Sequence, residues 1–303
     1  MIKLKYYFFN SDLADEIVEK ETCNEYYSFT KTKHDNVYVS KVQILKYNKD
    51  IGKEVGDYIS IDINNLDDFK EREQVSDLLA SSIRKIIEKY HLKDNFHVLV
   101  VGLGNENVIA DALGPETCKG VIVTNHLYEY ERNSIKKGIG RVSMISPGVM
   151  GQTGLETFSI IKGIAKETKP DLVIAIDSLC SRSIHRINRV IQITDSGIRP
   201  GSGVGNNRKA LTKATLGVPI VAIGVATVVE IINLVNETLA SVEKKGTAIL
   251  NPRERKEILK NLTTDEKYNM VVTPKEIDQD IMYLSTIIAT GINKVLHNDI
   301  KYV

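Results

Sequence analysis

The chain has 303 residues, of which 42% are hydrophobic, and this length supports one large core with additions rather than several small domains. Lys and Arg total 40 against 39 Asp and Glu, so the net charge of +1 gives no global reason to expect nucleic acid or an anionic membrane as a partner. The three cysteines are widely spaced and form no Cys-x-x-Cys pair, which argues against a disulfide framework and a zinc site and indicates a reducing compartment.

The N-terminal segment lacks the apolar core of a signal peptide. An aromatic cluster at positions 6–9 is followed at once by polar and charged residues. No stretch of the sequence approaches the length of a transmembrane helix, so we expect a cytoplasmic protein with no membrane partner. Residues 1 to about 30 are irregular, acidic and aromatic, and we interpret them as a leader or arm.

A small β element is predicted next, at about 36–63. Apolar and polar residues alternate at 37–47, which predicts one strand. Residues 58–63 predict a second strand after a turn at 51–53. An amphipathic helix is predicted at about 71–90, because apolar residues recur there every three or four positions.

From residue 96 onward, short apolar strands alternate with helical segments. The predicted strands are 96–102, 120–124, 171–176, 190–194, 219–225 and 269–273, and the predicted helices are 154–168, 227–245 and 275–296. Continuous apolar runs of this kind are typical of buried parallel strands. The alternation predicts an α/β fold with a mostly parallel central sheet flanked by helices, and the polar stretch 244–267 is predicted as an insertion.

Two aspartates lie at or just beyond the ends of predicted strands. Asp111 follows the strand at 96–102, and Asp177 directly follows an apolar run. Ligands and chemistry collect at the carboxyl ends of parallel strands, although either aspartate could instead cap a turn or a helix. If the two carboxyl groups are close, repulsion raises the pKa of one, which leaves one group as an acid and the other as a base toward water. Such a pair could hydrolyse a peptide without a metal or a nucleophilic side chain.

Two glycine-containing loops are predicted to approach a substrate through their backbones. The run Gly102-Leu103-Gly104-Asn105 is only a partial dinucleotide fingerprint, so we interpret its glycines as a sharp strand exit. The second loop covers 146–156 and contains Gly148 and Gly151, although helix entry alone could explain part of its sequence.

A third loop, at 195–209, is rich in glycine and basic residues. It contains Arg199, Gly201, Gly203, Gly205 and Arg208. The pattern indicates a cradle of backbone N–H groups for an anion, but it lacks the Gly-Lys-Ser/Thr of a P-loop. The arginines could instead pair with a neighbouring carboxylate or bind a substrate carboxylate.

Isolated histidines and cysteines offer weaker candidates. His126 and His185 could ligate a divalent metal beside either aspartate, but no His-x-x-x-His spacing supports a site. Cys118 and Cys180 have no histidine partner that the sequence identifies, so we interpret both as core thiols.

Several sequence blocks, taken in order, resemble the germination proteases of spore-forming bacteria. The blocks are VGLGN (101–105), DALGP (111–115), SPGVMG (146–151), AIDSL (175–179), PGSGVGN (200–206) and MVVTPKE (270–276). They span about residues 97–297, and the ordered set is highly specific although no single block is decisive.

The resemblance implies an aspartic-type endopeptidase that uses Asp111 and Asp177 and needs no cofactor. It implies a fold similar to that of the hydrogenase maturation endopeptidases. It also implies a homotetramer, made as a zymogen in the cytoplasm of the forespore and spore core, that degrades small acid-soluble spore proteins and binds no nucleic acid directly. The residues expected to shape its cleft are Gly104, Asn105, Gly148, Gly151, Arg199, Gly201, Gly203, Gly205 and Arg208.

The leader acquires a role from the same resemblance. Residues 11–16, Ser-Asp-Leu-Ala-Asp-Glu, resemble the family's self-processing site, with cleavage expected between Asp12 and Leu13. The acidic residues would suit a site that carries arginines such as Arg182. Residues 1–12 are then a propeptide, and residues 13–303 form a single peptidase domain that includes the β element.

The chain departs from the family pattern in three places. It is short at about 245–265, Ala226 stands where proline is expected, and Asn125 stands where arginine is expected. Two alternatives stay open. One is a metal-dependent maturation-type protease that uses the same aspartates with His126, and the other is a non-enzymatic module that binds an anion or a nucleotide through the glycine loops.

Overall fold

The computed structural model describes residues 11–18, 22–131, 133, 135–201, 209–244 and 251–297. In these residues the strands are β1 (Tyr27–His34), β2 (Val37–Ile44), β3 (Gly56–Asp62), β4 (His97–Gly102), β5 (Arg141–Ile145), β6 (Leu172–Ser181), β7 (Val190–Thr194), β8 (Ile220–Glu230) and β9 (Val271–Val272). The helices are α1 (Phe69–Glu88), α2 (Leu113–Gly120), α3 (Asn125–Tyr130), α4 (Met150–Thr153), α5 (Thr157–Thr168), α6 (Lys213–Leu216), α7 (Ile231–Lys244), α8 (Pro252–Thr264) and α9 (Ile277–Leu296).

The strands form one mixed sheet in the order β1-β2-β3-β7-β8-β6-β4-β5, with β9 paired to β8. The four strands β8, β6, β4 and β5 are parallel, and they form the part of the sheet that carries the predicted site. The other half of the sheet is antiparallel. It consists of β1, β2, β3 and β7, and β7 joins it to β8. The predicted α/β fold with a parallel centre is confirmed, and the small β element belongs to the same sheet.

Both faces of the sheet are covered. Helices α1, α2 and α9 contribute to the core that contains Val98 and Val100, whereas Leu99 and Val101 face a second core with α5. Because side chains alternate between the two faces of a strand, a strand buried on both sides needs an unbroken apolar run. This explains why the central strands were visible in the sequence.

The predictions at the sheet edges were less accurate. The predicted strand at 120–124 is wrong, because α2 continues to Gly120, and the edge strand is β5 instead. Most of β5 is only half-buried, so its apolar signal is weak. Strand β1 was also missed within the supposed arm. Its last five residues are exposed and polar, and it is held by its antiparallel partner β2.

The polar stretch predicted as an insertion contains the helix α8. Asn251 caps this helix by accepting hydrogen bonds from the backbone N–H groups of Arg253 and Glu254. The Glu254 side chain in turn accepts a hydrogen bond from the backbone N–H of Asn251. This capping box satisfies backbone groups that the helix leaves open. Among the helices that the structure describes, none is long and apolar enough to span a membrane.

Candidate active site

Asp177 lies on β6 where that strand runs past the end of β4. The last paired residue of β4 is Gly102, opposite Ile176, so the next residue of β6 faces the space beyond the shorter strand. Asp177 is only 3% exposed. A carboxyl group is therefore buried beside the carboxyl end of β4, but Asp177 itself lies within β6, which continues to Ser181 instead of ending at residue 176 as predicted.

Asp111 reaches the same place from the other side, on a 3-10 turn (Ile109–Asp111) that follows β4. The backbone N–H of Asn105 donates to both the carbonyl oxygen and Oδ2 of Asp111, at 3.1 and 2.9 Å. Gly104 makes this approach possible, because its φ is +113° and an added Cβ would lie 1.9 Å from the Asp111 carbonyl oxygen. A side chain at position 104 would push the turn away.

The two aspartates line one cavity of about 210 Å³, which we call the carboxylate cavity. Gly104, Gly148 and Gly201 line it as well, so three of the predicted glycines meet at the carboxyl pair. Gly148 and Gly201 both have positive φ, at 70° and 68°. Glycine adopts this conformation without the steric cost that a side chain brings, so the chain can turn tightly around the cavity.

Asp177 has a strongly perturbed acidity. Burial is the largest cause, followed by the charges of Asp111 and Asp12, and together they raise the pKa of Asp177 well above its ordinary value. Hydrogen bonds from the N–H groups of Ser178, at 2.9 Å, and Gly201 oppose the rise. Asp177 therefore keeps its proton at pH values where an exposed aspartate has lost it, as the sequence argument required of one member of the pair.

A second cavity of about 410 Å³ lies next to the first, and we call it the leader cavity. Its lining includes Asp12, Lys53, Gln192 and Arg199, and Leu179 lines both cavities. The side chain of Leu179 therefore stands between the carboxyl pair and the place where the N-terminal segment is bound.

Asp12 and Leu13, the predicted processing site, are firmly held. The Asp12 N–H donates to the Cys180 carbonyl oxygen, and the Cys180 N–H donates to Asp12 Oδ2, each at 2.9 Å. Leu13 is fully buried in a cluster with Leu179 and Ala226. Asp12 thus lines the neighbouring cavity, and it is close enough to affect the pKa of Asp177.

The acidic residues after Leu13 are bound by arginines and by backbone N–H groups. Arg186 makes two bonds to Asp15, at 2.7 and 2.9 Å. Arg182 donates its backbone N–H to Glu16 Oε2 at 2.7 Å and its guanidinium to the Glu16 carbonyl oxygen at 3.1 Å. Arg182 therefore contacts the leader, as the sequence suggested, but Arg186 makes the paired contact.

The other predicted cleft residues are distributed around the two cavities. Asn105 accepts a hydrogen bond from Gln152 at 2.7 Å and so ties the first glycine loop to the second. Arg199 is exposed and lies in the leader cavity, 3.7 Å from Glu54. Gly151 is exposed on α4 and lines neither cavity. Gly203, Gly205 and Arg208 lie outside the described residues.

The histidine and cysteine candidates do not join the carboxyl pair. His185 is exposed and lies 3.6 Å from Glu237, and His126 lines neither cavity. In the ranges given above, no group of three His, Cys, Asp or Glu side chains is arranged to hold a metal ion. Burial raises the pKa of Cys118 and of Cys180 to about 12, so both buried thiols stay protonated.

Two residues of the leader cavity, Lys53 and Gln192, were missed by the sequence reasoning. Gln192 offered a signal, because it is a polar side chain within the apolar strand β7 and is only 5% exposed. Buried polar side chains need partners, so such a residue points to a specific contact. Lys53 lies in a predicted turn and offered no signal.

The chain is similar to known germination proteases over most of its length. A family model described as germination protease matches residues 10–248 and 245–302. A germination protease of Caldanaerobacter subterraneus subsp. tengcongensis is 42% identical over 283 residues, covering 86% of this chain and 85% of that protein. A germination protease of Clostridium acetobutylicum is 41% identical over 279 residues, with the same two coverages of 86% and 85%. One from Geobacillus sp. is 36% identical over 313 residues, covering 88% of this chain and 84% of that protein.

Among solved structures, a [NiFe] hydrogenase maturation protease from Thermococcus kodakarensis aligns with 71% of this chain and 98% of its own length. The alignment has 17% sequence identity and a TM-score of 0.36.

Proposed function

This chain belongs to the germination protease family, and from that premise we propose that it is an aspartic-type endopeptidase that uses Asp111 and Asp177. The observation that carries the proposal is the unlike pair of carboxyl groups in one cavity. Asp177 is buried and its pKa is raised, whereas Asp111 is half-buried and accepts a backbone N–H at Oδ2. The two groups therefore differ in their burial, which is the kind of difference that acid–base catalysis needs.

In the proposed reaction, Asp111 takes a proton from a water molecule while the water oxygen attacks the carbonyl carbon of the scissile bond. Asp177 donates its proton to the carbonyl oxygen, which gives a neutral tetrahedral intermediate. The intermediate collapses when the leaving nitrogen receives the proton held by Asp111 and the carbon–nitrogen bond breaks. Asp177 recovers its proton from the hydroxyl group as the new carboxyl group forms. Backbone N–H groups of the glycine loops would stabilise the oxygen in the transition state.

The proposal extends to substrate and maturation. We propose that the substrates are small acid-soluble spore proteins and that the enzyme acts in the spore core as a homotetramer. Residues 1–12 are a propeptide that the protein itself removes between Asp12 and Leu13, and residues 13–303 are one peptidase domain. The position of Asp12 in the leader cavity, next to the carboxylate cavity, supports this assignment.

The test is mass spectrometry of a purified small acid-soluble spore protein after incubation with the protein lacking residues 1–12 and with its Asp111→Asn and Asp177→Asn variants. We expect discrete cleavage beside an acidic residue with the wild type and none with either variant. Asp94→Asn, which changes an exposed aspartate, is the matched control and should cleave normally. Near-UV circular dichroism should show that all three variants are folded.

Cleavage by both folded active-site variants would refute the carboxyl pair. Loss of cleavage on chelation, with recovery on adding a divalent metal, would support the metal-dependent alternative. No cleavage of any substrate by the folded wild type, together with stabilisation by phosphate or a nucleotide, would support the non-enzymatic binding module.

A further inference from the structure

The segment of residues 11–14, which we call the docked segment, is bound mainly through its backbone. Lys53 Nζ donates to the carbonyl oxygens of Ser11 and Asp12, at 3.2 and 2.8 Å. The Asp12 N–H pairs with the carbonyl oxygen of Cys180 on β6. These hydrogen bonds are made to backbone carbonyl and N–H groups, so they do not depend on the side chains of the bound segment.

Gln192 spans the peptide groups on both sides of Leu13. Its Nε2 donates to the Asp12 carbonyl oxygen at 3.0 Å, and its Oε1 accepts from the Ala14 N–H at 2.7 Å. The side-chain amide thus imitates a backbone peptide group on a neighbouring strand. Because Gln192 is buried, loss of either contact would leave a buried polar atom without its partner.

Lys53 adds a preference for negative charge. Enclosure of its ammonium group lowers the pKa of Lys53, and the carboxylates of Asp12 and Glu16 act in the opposite direction. If residues 1–12 leave, Lys53 loses both carbonyl acceptors and the charge of Asp12. An incoming peptide with an acidic residue at the position of Asp12 would restore all three interactions.

The leader cavity is open space beside the docked segment, since Ser11 and Asp12 belong to its lining. Its volume is about 410 Å³, and its lining also includes the polar residues Tyr47, Thr194 and Ser196. It shares Leu179 with the carboxylate cavity, so the two cavities are neighbours.

We propose that the leader cavity is a substrate subsite, in which Lys53 and Gln192 bind the backbone of a protein substrate beside its scissile bond and Lys53 selects an acidic residue at the position of Asp12. In the full-length chain, Ser11 and Asp12 line this subsite and supply the carbonyl acceptors of Lys53 and Gln192. The inference rests on the proposed endopeptidase function and adds the residues that recognise the peptide.

The first test uses the protein lacking residues 1–12, so that Ser11 and Asp12 no longer compete for Lys53. It compares two peptides, Ser-Asp-Leu-Ala-Asp-Glu and Ser-Asn-Leu-Ala-Asp-Glu, each with a fluorophore and a quencher on flanking residues. We expect Lys53→Met to raise KM for the first peptide by roughly tenfold or more, because it removes hydrogen bonds from a charged group. We expect kcat to stay within about threefold and the preference for Asp over Asn to disappear. Gln192→Met should raise KM for both peptides. Lys49→Met, at an exposed lysine of the same loop, is the control and should match the wild type.

The second test does not depend on turnover and uses the full chain with Asp177→Asn. Hydrogen exchange should show that the N–H groups of Asp12 and Ala14 are protected. The acidic peptide should raise their exchange rates by displacing the docked segment, at concentrations near the roughly millimolar effective concentration of a tethered segment. The Asn peptide should do so less, and Lys53→Met should abolish the difference between the two peptides.

The outcomes separate the two proposals. If the wild type cleaves the peptides but Lys53→Met and Gln192→Met behave like Lys49→Met, the subsite is refuted and the endopeptidase stands. If nothing is cleaved, displacement of the docked segment by the acidic peptide alone still supports the subsite, while failure of both peptides to displace it overturns the subsite. If Lys53→Met does not fold, the subsite is tested by Gln192→Met and by hydrogen exchange on the Asp177→Asn chain. An unchanged KM in Gln192→Met, with no displacement of the docked segment, would then refute it.

Discussion

Replacing Gly104 by alanine tests whether the backbone position of Asp111 controls the rate of cleavage. The added Cβ would lie 1.9 Å from the Asp111 carbonyl oxygen, whereas real Cβ atoms essentially never approach closer than 3.0 Å. The turn that carries Asp111 must therefore retreat by at least about 1.1 Å, or Gly104 must move by as much. A displacement of about 1 Å at a catalytic group can lower the rate roughly 100-fold. The strained backbone adds about 1–3 kcal/mol of destabilisation.

Gly154→Ala is the matched control. Gly154 also has a positive φ, +67°, but an added Cβ there meets no heavy atom within 4 Å. Both variants should lose folding free energy in urea melts because of the backbone conformation. Only Gly104→Ala should lose kcat, by about 100-fold on a peptide substrate, with a smaller change in KM. A folded Gly104→Ala enzyme with a kcat within about threefold of the Gly154→Ala value would refute the reasoning.

Three further predictions concern protonation and stability. Because the pKa of Asp177 is raised, the folded state keeps a proton that the unfolded chain loses above about pH 4, and the stability falls as the pH rises from there toward the folded pKa. Asp177→Asn should therefore raise the urea midpoint at pH 7 but not at pH 3. An equal gain at both pH values would contradict this. Burial alone would raise the pKa of Asp57, but hydrogen bonds from Lys41 and Lys89 lower it, so this carboxylate stabilises the fold above about pH 4 and its contribution is lost as pH falls through the folded pKa. Lys89 also pairs with Asp195. Lys89→Met should therefore cost about 1 kcal/mol at pH 7, since Lys89 is partly exposed and Lys41 remains, and urea melts should show a smaller cost as the pH falls below about 4. Iodoacetamide at pH 8 should alkylate the exposed Cys23 in the folded protein but not the two buried thiols, whose pKa is about 12, and mass spectrometry that finds all three labelled alike would disprove their enclosure.

The central part of the fold could be predicted because its signals are local. Strands β4, β6 and β8 are buried on both faces, so their residues form continuous apolar runs that stand out in the sequence. Helices α1 and α9 each place an apolar stripe on the same core. The edge strands β1 and β5 were missed because edges are partly solvated, and a mixed sequence fits a half-exposed strand as well as a loop.

The two aspartates could be identified for the same reason, since Asp177 ends the apolar run of β6 and Asp111 lies in the loop after β4. The glycines that line the carboxylate cavity were also predicted, but Gly151 is exposed because it lies on the outward turn of α4. No pattern in the sequence indicated Lys53, whose hydrogen bonds go to the carbonyl oxygens of residues 41 and 42 positions away along the chain.

The sequence by itself determined which central segments form buried strands and helices, and it associated Asp111 with the strand β4 and Asp177 with the apolar run of β6. These features depend on residue periodicity and on short chain geometry, which are properties of neighbours in the sequence. Only the tertiary structure decided that burial raises the pKa of Asp177 and that Asp12 contacts Cys180 and Gln192. These properties depend on how the strands pack: the burial of a carboxyl group, the distance between two charges, and contacts between residues 168 or 180 positions apart. No local sequence pattern contains this packing.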